Sequence, residues 1–317
     1  MILITGSAGF IGFHLSKFYL KKNINVIGID NLNNYYDPSI KKKRLKILKK
    51  YKNFKFFKID IKKKDSLKRL NKYKKKIYSI VHLAGQAGVR YSITNPLTYV
   101  KNNIEGYINL LEYFKNHKKL KSILYASSSS VYGDIKKKNL SKEKIISIYA
   151  VSKKTLEHIS QVYNHIYGMN FIGMRFFTVY GPYGRPDMSI YKFFNQISRN
   201  EPIEIYNYGN HYRSFTYVSD IVENINKIIL RINKRNRKFN EIINIGNPKS
   251  ISLMNVIKLI EKKFNKKIKK KFYPLQIGDI FKTKANVIKE QKKYKFKFQI
   301  NIKDGIDKFF KWYVDEK

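Results

Sequence analysis

The sequence predicts an α/β protein, a doubly wound parallel sheet with a smaller mixed α/β unit built onto it. Three observations carry this prediction. Short apolar runs alternate with longer amphipathic ones through the first half of the chain. The apolar runs are continuous rather than alternating, as strands buried on both faces require. A glycine-rich turn joins the first apolar run to the first amphipathic one. Strands alternating with helices give a parallel sheet covered on both faces, the Rossmann-type arrangement.

Taken in order, strands are expected at residues 2–5, 25–30, 54–59, 79–83, 122–126 and 171–175, with helices at 11–22, 96–114 and 150–167. After about Arg175 the pattern changes. Gly, Pro, Asn and Tyr become denser at 180–187 and 202–210, and the elements become short and mixed. The division expected is residues 1–175 and residues 176–317, with a soft boundary and interleaved parts. No internal repeat or low-complexity linker separates them.

Apolar residues make up 43% of the 317, enough for one large core or two modest ones. There is no cysteine, which excludes disulfides and thiolate chemistry and fits a reducing compartment. Residues 1–5 run straight into a strand-like stretch with no basic leader. No apolar run approaches the roughly 18 residues of a membrane span. A cytoplasmic protein is expected.

The formal charge is +44, from 66 Lys and Arg against 22 Asp and Glu. A nucleic-acid-binding protein would concentrate such charge on one arm or helix. Here the lysines are spread along the chain, at 41–43, 62–64, 136–138 and 269–271 for example. That spread reads as a compositional bias on solvated faces, of the kind an A+T-rich genome imposes, and nucleic acid is not the expected partner. The field still favours anionic substrates.

Four motifs carry chemistry. Gly6, Gly9 and Gly12 form G-x-x-G-x-x-G between the first strand and the first helix. Glycines there let backbone N–H groups approach a pyrophosphate at the helix N-terminus. Asp30 ends the second strand, where a carboxylate accepts ribose hydroxyls and repels a 2′-phosphate, favouring NAD over NADP. Asp60, ending the third strand before Ile61, either flanks the adenine or caps a turn. Tyr149 and Lys153 are four apart and share one helix face. An ammonium beside a phenol, together with a positive nicotinamide, would lower the phenol's ordinary pKa of about 10 toward working pH. The serines Ser127, Ser128, Ser129 and Ser130 follow a strand at the sheet edge where open α/β sheets bind ligands. The six histidines have no metal-ligand spacing, so no metal is expected. There is no G-x-S-x-G nucleophile elbow.

Together these motifs resemble the extended short-chain dehydrogenase/reductase family of nucleotide-sugar epimerases, over essentially the whole chain. Several strings are similar to its glucuronate-acting UDP-sugar 4-epimerases: DNLNNYYDP from Asp30, QAGVRYS from Gln86, RFFTVYGP from Arg175, YNYG from Tyr206 and RSFTY from Arg213. The resemblance implies that Tyr149, assisted by Ser128, takes the proton of the sugar 4-hydroxyl. The C4 hydride passes to NAD, the 4-keto sugar turns over, and the hydride returns to its other face. Lys153 would hold the nicotinamide ribose. Phe10, Ile11, Asn31, Leu83, Ala84 and Gly85 would join the glycines at the NAD site, and Asn103 would steady the nearby loops. Arg213 would meet the diphosphate and Asp279 the uridine side. Thr178, with Ser127 and Ser128, would offer hydroxyls to a sugar carboxylate, with Ser129 a close second to Ser128. Arg185 and Arg90 stand near the sugar or nucleotide, or serve as structural ion pairs.

Ser214 stands where the family often has Asp, and Gln276 where some relatives carry a basic residue. The resemblance also implies a homodimer built on helices 96–114 and 149–167. Alternatives are 4-epimerases of UDP-glucose or UDP-N-acetylhexosamines. Residues 127–132 contain no acid, which opposes dehydratase and decarboxylase activity. A non-catalytic nucleic-acid-binding scaffold would have no reason to retain all four motifs together.

Overall fold

In the computed structural model, which describes residues 1–133, 145–235 and 237–316, the continuous apolar runs form one sheet. Its first six strands are β1 (Ile2–Thr5), β2 (Val26–Asp30), β3 (Phe54–Lys58), β4 (Ser79–His82), β5 (Ser122–Ser128) and β6 (Phe171–Phe176). Six shorter or later strands follow the chain: β7 (Thr178–Tyr180), β8 (Ile203–Tyr206), β9 (Tyr212–Arg213), β10 (Phe215–Tyr217), β11 (Asn240–Ile245) and β12 (Ile251–Ser252), with β13 (Lys270–Tyr273) last. The main sheet runs β3-β2-β1-β4-β5-β6-β11, all parallel. Every residue of β1, β2 and β4 is buried. At the edge, β3 instead exposes Lys55 and Lys58.

Each face of the sheet carries helices, as continuous strand hydrophobicity demands. On one face Phe13 and Leu15 of helix Phe10–Lys21 pack with Ile221, Ile225 and Ile228 of helix Val218–Ile232. On the other, Leu110 and Phe114 of helix Gly106–Phe114 pack with Leu156 of helix Ile148–Tyr167. A third core lies beyond the sheet. Phe194, Ile257 and Phe309 unite helices Ser189–Ser198, Leu253–Phe264 and Ile302–Asp315. The pairs β7–β10, β9–β12 and β8–β13 belong to this later region. Residues 218–245 meanwhile return to the main sheet with a helix and its edge strand β11.

The helix expected at 96–114 is interrupted. A helical turn at Pro96–Tyr99 passes into a π-helical stretch, Val100–Glu105, before the α-helix Gly106–Phe114. Such widened turns insert an extra residue and recur at functional sites. Here Asn103 lies in the wide turn, buried, with its amide on the Gln86 backbone. The lysine run 136–138 lies outside the described residues. Among those described, no helix is long and apolar enough to cross a membrane, and no group of His, Asp and Glu could hold a metal ion.

Candidate active site

The C-terminal ends of β1, β2, β4, β5 and β6 open into one cavity of about 940 Å³. It lies where strand order reverses between β1 and β4, the crevice at which open α/β sheets take ligands.

At one end the wall is backbone. Gly6 has a left-handed φ of 69°, and a Cβ there would lie 2.8 Å from the Ala84 nitrogen. A Cβ on Gly12 would collide with the Gly6 carbonyl oxygen. The helix begins after Gly9 with no side-chain cap, so its first N–H groups remain available to an anion. Asp30, buried, accepts the Ala8 N–H at 3.1 Å and the Leu32 N–H at 2.8 Å. Burial pushes its carboxyl up, opposed by Lys41, those N–H groups and Arg44. This cradle fits a dinucleotide: side chains are excluded where a pyrophosphate needs room, and a carboxylate waits one strand away.

In the middle, helix Ile148–Tyr167 is capped by Ser147, whose hydroxyl accepts the Ala150 N–H, and closed by Gly168 at φ 67°. Its first turns carry Tyr149 and Lys153 into the cavity. The Lys153 ammonium lies 6.0 Å from the centre of the Tyr149 ring. Burial pulls Lys153 down to about 8. Burial also pushes the Tyr149 phenol up, offset in part by a hydrogen bond with Ser128 and by the charge of Arg185. Ser128 ends β5 and its hydroxyl accepts the Ser130 N–H at 3.1 Å. Asn103 braces the helix from behind, donating to the Ser152 hydroxyl at 2.9 Å, and Ser152 donates to the Tyr149 carbonyl at 2.8 Å.

The far end is built from ions. Arg213 donates to Asp279 at 3.0 Å, Arg90 lies 3.5 Å from the same carboxylate, and the buried His211 ring approaches it at 3.5 Å. Arg90 also stacks over Tyr206, 4.9 Å from the ring centre. Nearer the middle, Arg185 pairs with Asp187 through two hydrogen bonds, and Tyr35 from the cofactor side donates to Asp187 at 3.1 Å.

The structure gathers most of the residues singled out in the sequence around this cavity. Gly6, Gly9, Phe10, Ile11, Gly12, Asp30, Asn31, Ile61, Leu83, Ala84 and Gly85 line one arm. Ser127, Ser128, Ser129, Tyr149, Lys153, Thr178, Arg185, Arg213, Asp279 and Arg90 line the rest. Asp60 and Asn103 take supporting roles that were among those expected, a turn cap and a loop brace, and one placement, that of Ser127, differs from expectation. Asp60 is not among the lining residues; its carboxylate accepts the Lys62 N–H at 3.2 Å and so caps a turn. Asn103 stands behind the wall, and its neighbour Asn102 lines it. Ser127 reaches the wall, but its hydroxyl donates to Glu157 at 2.7 Å and is not free for a sugar carboxylate. Tyr35, Asp187 and His211 also line the cavity and were not foreseen. The string around Tyr35 and Tyr36 signalled the first; nothing local signals the other two.

Residues 2–246 match the model of a family described as NAD dependent epimerase/dehydratase. An uncharacterized protein of Methanocaldococcus jannaschii is 48% identical over 100% of this chain and 97% of its own. The UDP-glucuronate 4-epimerase of Thermodesulfobacterium geofontis is 38% identical over 98% of this chain and 95% of its own. Among solved structures, UDP-glucuronic acid 4-epimerase from Bacillus cereus, in complex with UDP-glucuronic acid and NAD, superposes with a TM-score of 0.91 at 30% identity. That match covers 100% of this chain and 99% of the other. A glycine cradle, a Tyr–Lys helix and a serine-edged strand thus occur on a chain similar to these proteins from end to end, and the chain belongs to the NAD-dependent epimerase/dehydratase family.

Proposed function

We propose that this chain is an NAD-dependent 4-epimerase that interconverts UDP-glucuronate and UDP-galacturonate. The observation that carries the reading is the convergence of Tyr149, Lys153 and Ser128 between a backbone cradle and an arginine-lined arm of one cavity. The similarity to UDP-glucuronate 4-epimerases over nearly the whole chain supports it. Residues 1–175 would hold NAD and residues 176–317 most of the nucleotide sugar.

Bound NAD would supply the reversible hydride acceptor at C4. The protein's own residues do the rest. The glycine cradle seats the dinucleotide diphosphate, and Asp30 holds the adenosine ribose and disfavours a 2′-phosphate. Lys153 holds the nicotinamide ribose. Tyr149 accepts the proton of the 4-hydroxyl and returns it when C4 is reduced, with Ser128 donating to the same oxygen. Arg213 pairs with the UDP diphosphate, and Asp279 takes the uridine side. Arg90 is placed beside the nucleotide and Arg185 beside the sugar. With Ser127 committed to Glu157, Ser129 and Thr178 are the hydroxyls left for the sugar carboxylate.

Two further proposals follow. Leu97, Val100, Val151, Val162 and Ile166 are exposed apolar side chains on the segments 96–114 and 149–167, and they support a homodimer. A monomer in sedimentation at micromolar concentration would overturn that. The cysteine-free sequence supports a cytoplasmic location, and we assign the dispersed positive charge to solvated faces rather than to nucleic acid.

The test of the main proposal is a proton NMR time course with UDP-glucuronate, UDP-glucose and UDP-N-acetylglucosamine, each without added NAD. UDP-galacturonate forming alone is the expected result. Turnover restricted to a neutral or N-acetyl sugar would keep the catalytic pair and overturn the roles of Thr178 and Ser129.

A further inference from the structure

Glu157 lies one helical turn beyond Lys153 and two beyond Tyr149, so all three side chains share a helix face. Its side chain is buried. Arg175 donates to both of its oxygens, from Nε at 2.8 Å and from a terminal nitrogen at 2.7 Å. The Ser127 hydroxyl donates to it at 2.7 Å, and Lys154 lies 3.7 Å away at the rim. Burial opposes the charged carboxylate, but the hydrogen bonds from Arg175 and Ser127 outweigh it and hold Glu157 below the usual range. At neutral pH it is therefore an acceptor only, and the Ser127 proton must point toward it.

Ser127 and Arg175 are register partners on β5 and β6. Glu157 thus clamps two neighbouring strand ends onto one helix turn. The network continues outward: Arg175 lies over the Tyr132 ring at 4.6 Å, and Tyr132 donates to Asn244 of β11 at 2.7 Å. A buried ion pair contributes little net stability, and well-packed apolar residues would hold the same elements together. What a bidentate pair supplies is defined geometry. That geometry is needed next door, because Ser128 follows Ser127 and Lys153 sits one turn from Glu157.

We infer that Glu157 is a positioning residue: gripped by Arg175, it holds the Ser127 hydroxyl and so sets the distance between Ser128 on its strand and Tyr149 on its helix. The inference rests on the roles proposed for Tyr149 and Ser128.

Ser127→Ala tests it most cleanly, because it removes the link and leaves the ion pair whole. The expected signature is a kcat lower by about tenfold to a hundredfold, the scale on which small misplacements act, with NAD content and the KM for UDP-glucuronate unchanged. The acid limb of the kcat/KM–pH profile, which reports the free enzyme, moves up by as much as about one unit, because the Tyr149 phenolate loses part of its hydrogen bond from Ser128. Ser127→Thr, which keeps the hydroxyl, restores both. Glu157→Gln reproduces the signature; if it does not fold, the Ser127 pair decides alone. Wild-type kcat and pH profile in Ser127→Ala overturn the inference. So does a raised KM for UDP-glucuronate alone, which would make Ser127 a substrate contact. Tyr149→Phe, measured alongside, separates the two levels. An inactive Tyr149→Phe beside a normal Ser127→Ala sinks only the clamp, whereas an active Tyr149→Phe sinks the reading beneath it.

Discussion

The two arms of the cavity are made differently. The cofactor arm is backbone: glycines with no room for a Cβ, uncapped N–H groups, and Asp30 held by the Ala8 N–H across a sequence separation of 22. The sugar arm is side chain: Arg213 reaches Asp279 across 66 residues, and Tyr35 reaches Asp187 across 152. A backbone site belongs to the fold and changes only with it. A site of paired ions can be re-specified by single substitutions while the sheet stays intact. Cofactor retention and sugar specificity should therefore respond to separate sets of mutations.

The junction of the arms should give the largest effect. Tyr149→Phe removes the proposed proton acceptor, and turnover should fall by about 10²- to 10⁴-fold, with NAD still bound and KM little changed. Loss of NAD from this variant would show that the junction and the cofactor arm are not separable. Next comes Asp30→Ala, which removes the carboxyl group proposed to hold the ribose. One charge-assisted hydrogen bond corresponds to about tenfold to a hundredfold in NAD affinity. Titration of NAD into stripped enzyme measures it, and the KM for UDP-glucuronate should be unmoved at saturating NAD. A smaller effect is expected at Arg213→Ala. It should raise the KM for the UDP-sugar about tenfold, the order of one ionic hydrogen bond, without changing NAD content. If NAD release accelerates instead, the arms are coupled, with the Tyr35–Asp187 bridge as the route to examine.

The same contrast governs what can be read from sequence. The glycine turn, Asp30 and the Tyr149–Lys153 pair announce themselves because each depends on residues close in the chain or on one helix face. Strands β1, β2, β4, β5 and β6 are legible because both their faces are buried, and β3 because its three phenylalanines mark it despite the exposed lysines. The seventh, β11, is not: on this edge strand Ile242 is exposed while polar Asn240, Glu241 and Asn244 are half-buried, so its pattern reads as mixed. The π-helical stretch at Val100–Glu105 is hidden because an extra residue in one turn leaves a plain amphipathic run looking like an unbroken helix. Glu157 and His211 escape because their partners come from distant strands or loops, and Asp187 because Tyr35 reaches it across 152 residues. Ser127 shows the same effect. Its neighbours on the chain suggest a cavity hydroxyl, whereas its neighbour in space is a buried carboxylate.

Two buried histidines, one at each arm, extend the comparison to pH. His82 ends β4 beneath the cofactor arm, with Nδ1 2.9 Å from the Thr5 hydroxyl and its ring stacked on Tyr107 at 5.0 Å. Its other nitrogen meets no hydrogen-bond partner among the described residues. Burial, reinforced by the charge of Lys153, pulls it down to about 3. His211, at the sugar arm, is lowered by burial and Arg213, but Asp279 opposes the shift. For His82 the folded value lies below the unfolded value of about 6.5. Its contribution to stability is therefore complete above pH 6.5 and is lost as pH falls toward 3. The loss proceeds at about 1.4 kcal/mol per pH unit for one proton taken up on unfolding. His82→Gln should cancel that proton. Thermal melts at pH 7.5 and pH 5 should show the variant losing less stability than the wild type across the interval, by about 2 kcal/mol. His211→Gln should change the interval less, because Asp279 already shelters the protonated ring. Equal slopes in wild type and His82→Gln would mean that the cofactor arm admits water to His82, and that its polar floor is softer than its backbone wall.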